Sequence, residues 1–174
     1  MDNTSFLELA AKRYSVRAYK DKPVEEEKIS KILEAGMLAP TAVNLQPHKI
    51  YVAKSSEARE KLKNVCICTF DAPVIFVMGY DKNTVWHNSL RPELDTGMID
   101  ASIVLTHMML EATDLGLGSC WVCRFDPDEV SKALGLPENI VITSLLPVGY
   151  AAEDAKPSDR HLKYRDQNEI VEII

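Results

Sequence analysis

Arg13-Tyr14-Ser15-Val16-Arg17 sets two guanidinium groups on either side of a hydroxyl. Planar guanidinium forks beside a hydroxyl suit an oxyanion such as phosphate. Two arginines at the end of a helix can equally be solvated and compensate its dipole. Ala39-Pro40-Thr41-Ala42-Val43-Asn44-Leu45-Gln46-Pro47-His48 holds two prolines and two amides. It reads either as a helix-to-strand connection or as a rigid loop whose amides match the donor and acceptor edge of a heterocycle. The four cysteines come as Cys66/Cys68 and Cys120/Cys123. Two close pairs can form a four-thiolate zinc site, and Cys120-Trp121-Val122-Cys123 has the spacing of a redox CxxC. Trp121 and Val122 read as buried strand, and a redox CxxC opens a helix that lowers its thiol pKa. Buried, reduced, metal-free structural thiols are therefore expected. No GxGxxG, Walker A or GxSxG motif is present, and His48, His87, His107 and His161 lack metal-ligand spacing.

The elements that must position these residues follow from periodicity. Residues 4–13 predict a short helix capped by Asn3 or Thr4. A second follows Pro23, with Glu25 to Glu27 in its first turn and its end near Pro40. Lys49 to Ala53 reads as a strand, Ser55 to Leu62 as a helix, and Pro73 to Tyr80 as a central strand. The longest helix is expected from about Leu94 to Leu115; its apolar residues cover most of the circumference, which suits an interior helix, and Gly116 ends it. Ser119 to Cys123 should be a strand, Pro127 to Leu134 a helix, and Ile140 to Val148 a strand. Ala151 to Arg165 is a polar arm with Lys156, Arg160, Lys163 and Arg165. The apolar tail Ile170 to Ile174 after it needs a surface to dock on, a partner subunit being one candidate.

A chain of 174 residues with 46% hydrophobic and 26% charged residues fits one α+β domain over residues 1–174. A net charge of −6 supplies no general basic face for nucleic acid, though a local basic patch is compatible with it. No apolar run reaches the roughly 18 residues of a membrane span. Met1-Asp2-Asn3-Thr4 lacks the marks of a signal peptide, so a cytosolic location is expected.

Taken together, the motifs resemble those of the nitroreductase family. RYSVR is similar to its RRSVR-type opening, and APTAVNLQP to its PSxxNxQPW-type loop. Gly116-Leu117-Gly118-Ser119-Cys120-Trp121 resembles the GLGSxW element, and Leu146-Pro147-Val148-Gly149-Tyr150 the strand that precedes a basic arm. Four motifs in order cover essentially the whole chain. Departures are His48 in place of the usual Trp, Thr41-Ala42 where Ser-Ser is frequent, and Cys123-Arg124 where some members have Glu-Gly.

The resemblance implies an α+β fold with a central, mostly antiparallel sheet flanked by helices and a C-terminal arm exchanged in a homodimer. It implies FMN as cofactor and NAD(P)H as co-substrate, with hydride passed in ping-pong fashion to a nitroaromatic, a quinone or a similar small acceptor. Arg13 and Ser15, with Tyr14 between them, would hold the FMN phosphate, helped by Arg160 and, as a second cation, Lys163. Arg17 would lie near the flavin N1/C2 carbonyl as a tuning cation. Pro40, Thr41, Ala42 and Asn44 would contact the ring from the other subunit. Trp121, Val122 and Cys123 would lie along its opposite side, with backbone N–H groups directed at N5 and O4. No side chain need act as nucleophile or base. A non-catalytic flavin-binding or thiol-redox accessory protein, and a zinc-stabilised interaction module, are the alternatives.

Overall fold

The computed structural model describes residues 5–174. In chain order the elements are α1 (Phe6–Lys12), α2 (Glu26–Met37), β1 (His48–Ala53), α3 (Ser56–Val65), β2 (Val74–Asp81), β3 (His87–Asn88), β4 (Arg91–Asp95), α4 (Gly97–Asp114), β5 (Gly118–Ser119), α5 (Pro127–Leu134) and β6 (Ile140–Gly149). One sheet has the order β1-β2-β6-β5, antiparallel throughout, and β3-β4 forms a separate hairpin. This is the expected α+β architecture.

The central strand β2 is apolar at every position from Val74 to Met78, and both its faces are covered. Side chains alternate along a strand, so Val74, Phe76 and Met78 pack with Ile29 and Ile32 of α2 and with Val104, Leu105 and Met108 of α4. Ile75 and Val77 face Leu62 of α3 and Val130 of α5 on the other side. A strand buried on both faces has no polar alternation, which is why PVIFVMGY stands out in the sequence.

Several boundaries differ from the sequence-based expectation for identifiable reasons. The first helix is capped by Ser5, whose hydroxyl accepts from the Glu8 N–H while Glu8 accepts from the Ser5 N–H; this reciprocal pair is a capping box. Asn3 and Thr4 lie outside the described residues. Glu25 is the N-cap of α2, and its carboxylate accepts from the Tyr150 hydroxyl at 2.8 Å. The long helix begins at Gly97, not Leu94, because Leu94 belongs to the hairpin. That hairpin turns at Asn88, whose side chain accepts from the Leu90 and Arg91 N–H groups. Of the expected Ser119–Cys123 strand only Ser119, preceded by Gly118, joins the ladder, with a single further bridge from Val122 to Leu145. Between them Cys120 donates to the Pro147 carbonyl, and Pro147 has no N–H to return.

The expectation that α4 is wholly interior is also corrected. Ala101, Val104, Leu105, Met108 and Ala112 are buried, but Met98 and Ile99 are 52% and 58% exposed, leaving an apolar strip uncovered within one protomer. The tail Ile170 to Ile174 likewise finds no cover on its own chain. Of the thiols, Cys66 and Cys120 are buried, Cys68 is half-buried and Cys123 is exposed, so the expected burial fails at Cys123. Past the Val122–Leu145 bridge its sulfur turns out of the sheet, 3.2 Å from the Trp121 indole N–H. Among the described residues no cluster of three or more metal-ligating side chains occurs.

Two positions set the corners of the sheet. Gly118 lies under Val16; a Cβ there would stand 2.6 Å from a Val16 methyl, so only glycine admits the chain that follows Arg13 this close. Gly118→Ala should therefore destabilise the fold by about 1–3 kcal/mol through overpacking, read from denaturant midpoints; an unchanged midpoint would refute the close-packing account. At the opposite corner His48 opens β1, is 9% exposed, and its Nδ1 finds no partner among the described residues. Burial pulls its imidazole below the ordinary value, against the opposing charge of Asp100. The unfolded chain then takes up a proton near pH 6.5 that the folded chain resists, so stability falls as pH drops through that value. Between about pH 7.5 and about pH 5.5 the wild type should lose more stability than His48→Phe. Equal losses in the two proteins would show that His48 is not responsible.

Candidate flavin and phosphate site

The segment after α1 is held flat against the sheet edge. Val16 N–H donates to the Ser119 carbonyl at 2.9 Å, and Ser15 bridges Ser119 in parallel fashion. The buried Tyr19 hydroxyl contacts the carbonyls of Val16 at 2.9 Å and Pro147 at 3.0 Å. With alternate residues pinned inward, Arg13, Ser15 and Arg17 face the same open side. The polar arm after Tyr150 crosses over this segment. Ala152 N–H donates to the Ala18 carbonyl, Tyr14 Oη to the Ala155 carbonyl at 3.4 Å, and the His161 ring meets Tyr14 edge-on at 6.2 Å.

The result is one pocket lined by Arg13, Ser15, Arg17, Ser158, Arg160, His161, Lys163 and Tyr164, of about 360 Å³. No carboxylate lines it, and none of Arg13, Arg17, Arg160 and Lys163 forms an ion pair among the described residues. Four predicted cations and one predicted hydroxyl are thus brought together. Ser158, His161 and Tyr164 were not singled out in the sequence, because nothing in a polar arm marks which of its residues turn inward. Beneath the pocket the Cys120 thiol is pushed up by burial, a shift that outweighs the lowering influence of Arg17, Ser15 and Arg13. A thiol so raised is a poor nucleophile, consistent with a structural Cys120.

Beside the pocket, the backbone from Trp121 to Cys123 continues along the sheet edge. Val122 is buried and its N–H donates to the Leu145 carbonyl at 2.9 Å, so this amide is not free for a ligand. That removes Val122 from the set of backbone donors expected here; the antiparallel bridge consumes it. Alternation along the edge leaves Trp121 and Cys123 as the positions whose N–H groups point away from β6.

The loop 40–47 is elsewhere. It enters β1, whose first residue His48 pairs with Tyr80 near the end of β2, whereas Ser119 pairs with Val148 opposite Val74 at the start of β2. The two corners are separated by most of the length of β2, roughly 20 Å at ~3.3 Å per residue, and by the full width of the sheet. Within the loop Val43, Asn44 and Gln46 all adopt left-handed backbone, with φ of 42°, 57° and 51°. Thr41 Oγ1 accepts from the Gln46 N–H at 3.0 Å, and Ala42 N–H donates to Asp100 at 3.0 Å, while Asn44 stays exposed. One protomer therefore does not bring Pro40, Thr41, Ala42 and Asn44 to Arg13, Ser15 and Arg17.

The profile of the nitroreductase family matches residues 10–71 and 66–150. An NADH dehydrogenase of Thermus thermophilus is 31% identical over 182 residues, spanning 87% of this chain and 89% of that protein. The crystal structure of a nitroreductase family protein from Clostridium difficile 630 superposes with a TM-score of 0.90 at 40% identity and covers 97% of both chains. An FMN-dependent nitroreductase from Clostridium difficile R20291 superposes with a TM-score of 0.71 at 28% identity, over 92% of this chain and 99% of that one. With its four motifs on an antiparallel sheet flanked by helices, and a basic pocket where the first motif meets the C-terminal arm, the chain belongs to the nitroreductase family of oxidoreductases.

Proposed function

We propose that this protein is a cytosolic, homodimeric FMN-dependent oxidoreductase that uses NAD(P)H to reduce a nitroaromatic, a quinone or a similar small acceptor by a ping-pong mechanism. The observation that carries the reading is the pocket of four cations, unpaired among the described residues and without a carboxylate in its lining, in a chain of net charge −6. Such a pocket selects a dianionic phosphate and orients it through charge-assisted bonds. FMN fits because its phosphate finds Arg13, Ser15, Arg160 and Lys163 together, with Tyr14 packed behind them. The naming of a relative as an FMN-dependent nitroreductase and of another as an NADH dehydrogenase supports the same choice.

Bound FMN would supply the chemistry by accepting hydride from a nicotinamide and delivering electrons to the acceptor. The chain's own task is binding, orientation and tuning. Arg17 Nη1 is anchored on the Ser15 carbonyl at 3.2 Å, which fixes a positive charge beside the phosphate-binding segment; a cation held next to the ring raises its potential. Trp121 and Cys123 offer amides at the sheet edge. The exposed Cys123 is the first residue of Cys123-Arg124, where some members carry Glu-Gly.

A homodimer resolves the separation of the two corners. The uncovered strip of α4 and the aliphatic tail are apolar surfaces that need a partner. A two-fold axis across α4 exchanges its ends, so that loop 40–47 of one protomer meets the basic pocket of the other. Both sites are then completed by the same operation.

Arg13→Ala should purify folded but largely colourless, with FMN affinity reduced tenfold to hundredfold for roughly 1.5–3 kcal/mol per charge-assisted bond. Full flavin occupancy in the variant would show that the phosphate lies elsewhere. Truncation after Arg165 should weaken the dimer and release FMN in parallel, as followed by light scattering and flavin fluorescence. A flavin-loaded monomer, of either length, would defeat the shared site.

A further inference from the structure

Asp100 is the one carboxylate in the first turn of α4, and it is only 2% exposed. Both its oxygens are engaged. Oδ1 accepts the Ala42 N–H at 3.0 Å and Oδ2 accepts the Thr96 hydroxyl at 2.8 Å. Thr96 is the N-cap of α4 yet makes no side-chain bond to the helix backbone; its hydroxyl is turned to Asp100 instead. The helix end favours the charged form of a carboxylate in its first turn. The arrangement is a buried, charge-assisted acceptor aimed out of the helix at a single amide of a distant loop.

Apart from the Asp81 N–H donating to the Pro47 carbonyl at 2.8 Å, at the junction with β1, that loop is held mainly from within. Asn44 N–H donates to the Thr41 carbonyl, Leu45 N–H to the Ala42 carbonyl and Gln46 N–H to Thr41 Oγ1, all within the loop. Among the described residues, the single hydrogen bond from residues 40–46 to another element is that of Ala42 to Asp100. Three left-handed residues without glycine make the loop conformation one that must be over-determined to persist.

We infer that Asp100 is the positioning residue of the flavin site: by holding the Ala42 amide it sets the place of Thr41, Ala42 and Asn44 against the cofactor of the partner subunit. This rests on the flavin reading above. It extends it to a residue that touches neither cofactor nor acceptor, and whose effect passes through one amide. Among the described residues Asp100 forms no ion pair, so the two hydrogen bonds are its polar partners.

The test is amide hydrogen exchange on the dimer freed of FMN, together with FMN titration by fluorescence quenching. In Asp100→Ala, residues 41–46 should exchange at least about tenfold faster while the α4 core amides from Leu105 to Met108 keep their protection. FMN should bind roughly tenfold to hundredfold more weakly, the effect of one charge-assisted bond. Asp100→Asn retains an acceptor for Ala42 and should restore part of both effects. Loop exchange that is unchanged, or that rises only together with α4, overturns the positioning role. So does a loosened loop with unchanged FMN affinity. A wild-type dimer that takes up no FMN, while loop exchange still responds to the substitution, would instead remove the flavin reading and leave Asp100 a purely structural clamp.

Discussion

The burial of β2 on both faces constrains everything around it. A strand without a polar side needs a layer of helices above and below, and α2 with α4 and α3 with α5 provide them. The middle of the sheet is thereby closed to water and to any ligand. Polar chemistry can be placed only at the ends and edges of the sheet, and it is. The basic pocket sits at the β5 edge by the start of β2, and the strained loop at the β1 edge by its end. The proposed second copy answers the same constraint, since a layered protomer cannot fold its own opposite corners together.

Electrostatics repeats the division. Elsewhere on the surface several lysines are matched with carboxylates, as in Lys31 with Glu27, Lys61 with Glu57 and Lys63 with Asp71. Exposed pairs of this kind contribute little to stability, but they neutralise positive charge. The corner around Arg13 and Arg160 is left unneutralised in an otherwise acidic molecule, so the field of the protein directs anions there.

Much of this was legible in the sequence because strong periodicity and apolar runs are local signals. The α5 helix has the bounds Pro127 to Leu134 expected of it, and β2 extends only to Asp81 beyond the predicted segment. The arginines and serine of RYSVR, two of them singled out for a phosphate and Arg17 for the ring, line one pocket with Arg160 and Lys163. The hairpin at His87 to Asp95 was not legible, because its strands are short and exposed and leave no alternation. Nor was the use of the Val122 amide, which depends on pairing with a residue far along the chain. Asp100 carried a faint signal, a lone carboxylate within Gly97-Met98-Ile99-Asp100-Ala101, but its partner is 58 residues away and no local rule names it.

The left-handed turn of the loop was hidden for a different reason: Ala42-Val43-Asn44-Leu45-Gln46 contains no glycine to announce it. Val43 is β-branched and held at φ 42°, a conformation that costs an L-residue about 1–2 kcal/mol relative to its ordinary backbone. Glycine would relieve that strain, yet it would also open many more conformations to the loop. For an engineer, thermal robustness and a well-defined binding edge thus become opposed aims at this one position. For natural variation, a residue that looks poorly chosen on stability alone marks where order has been favoured over comfort.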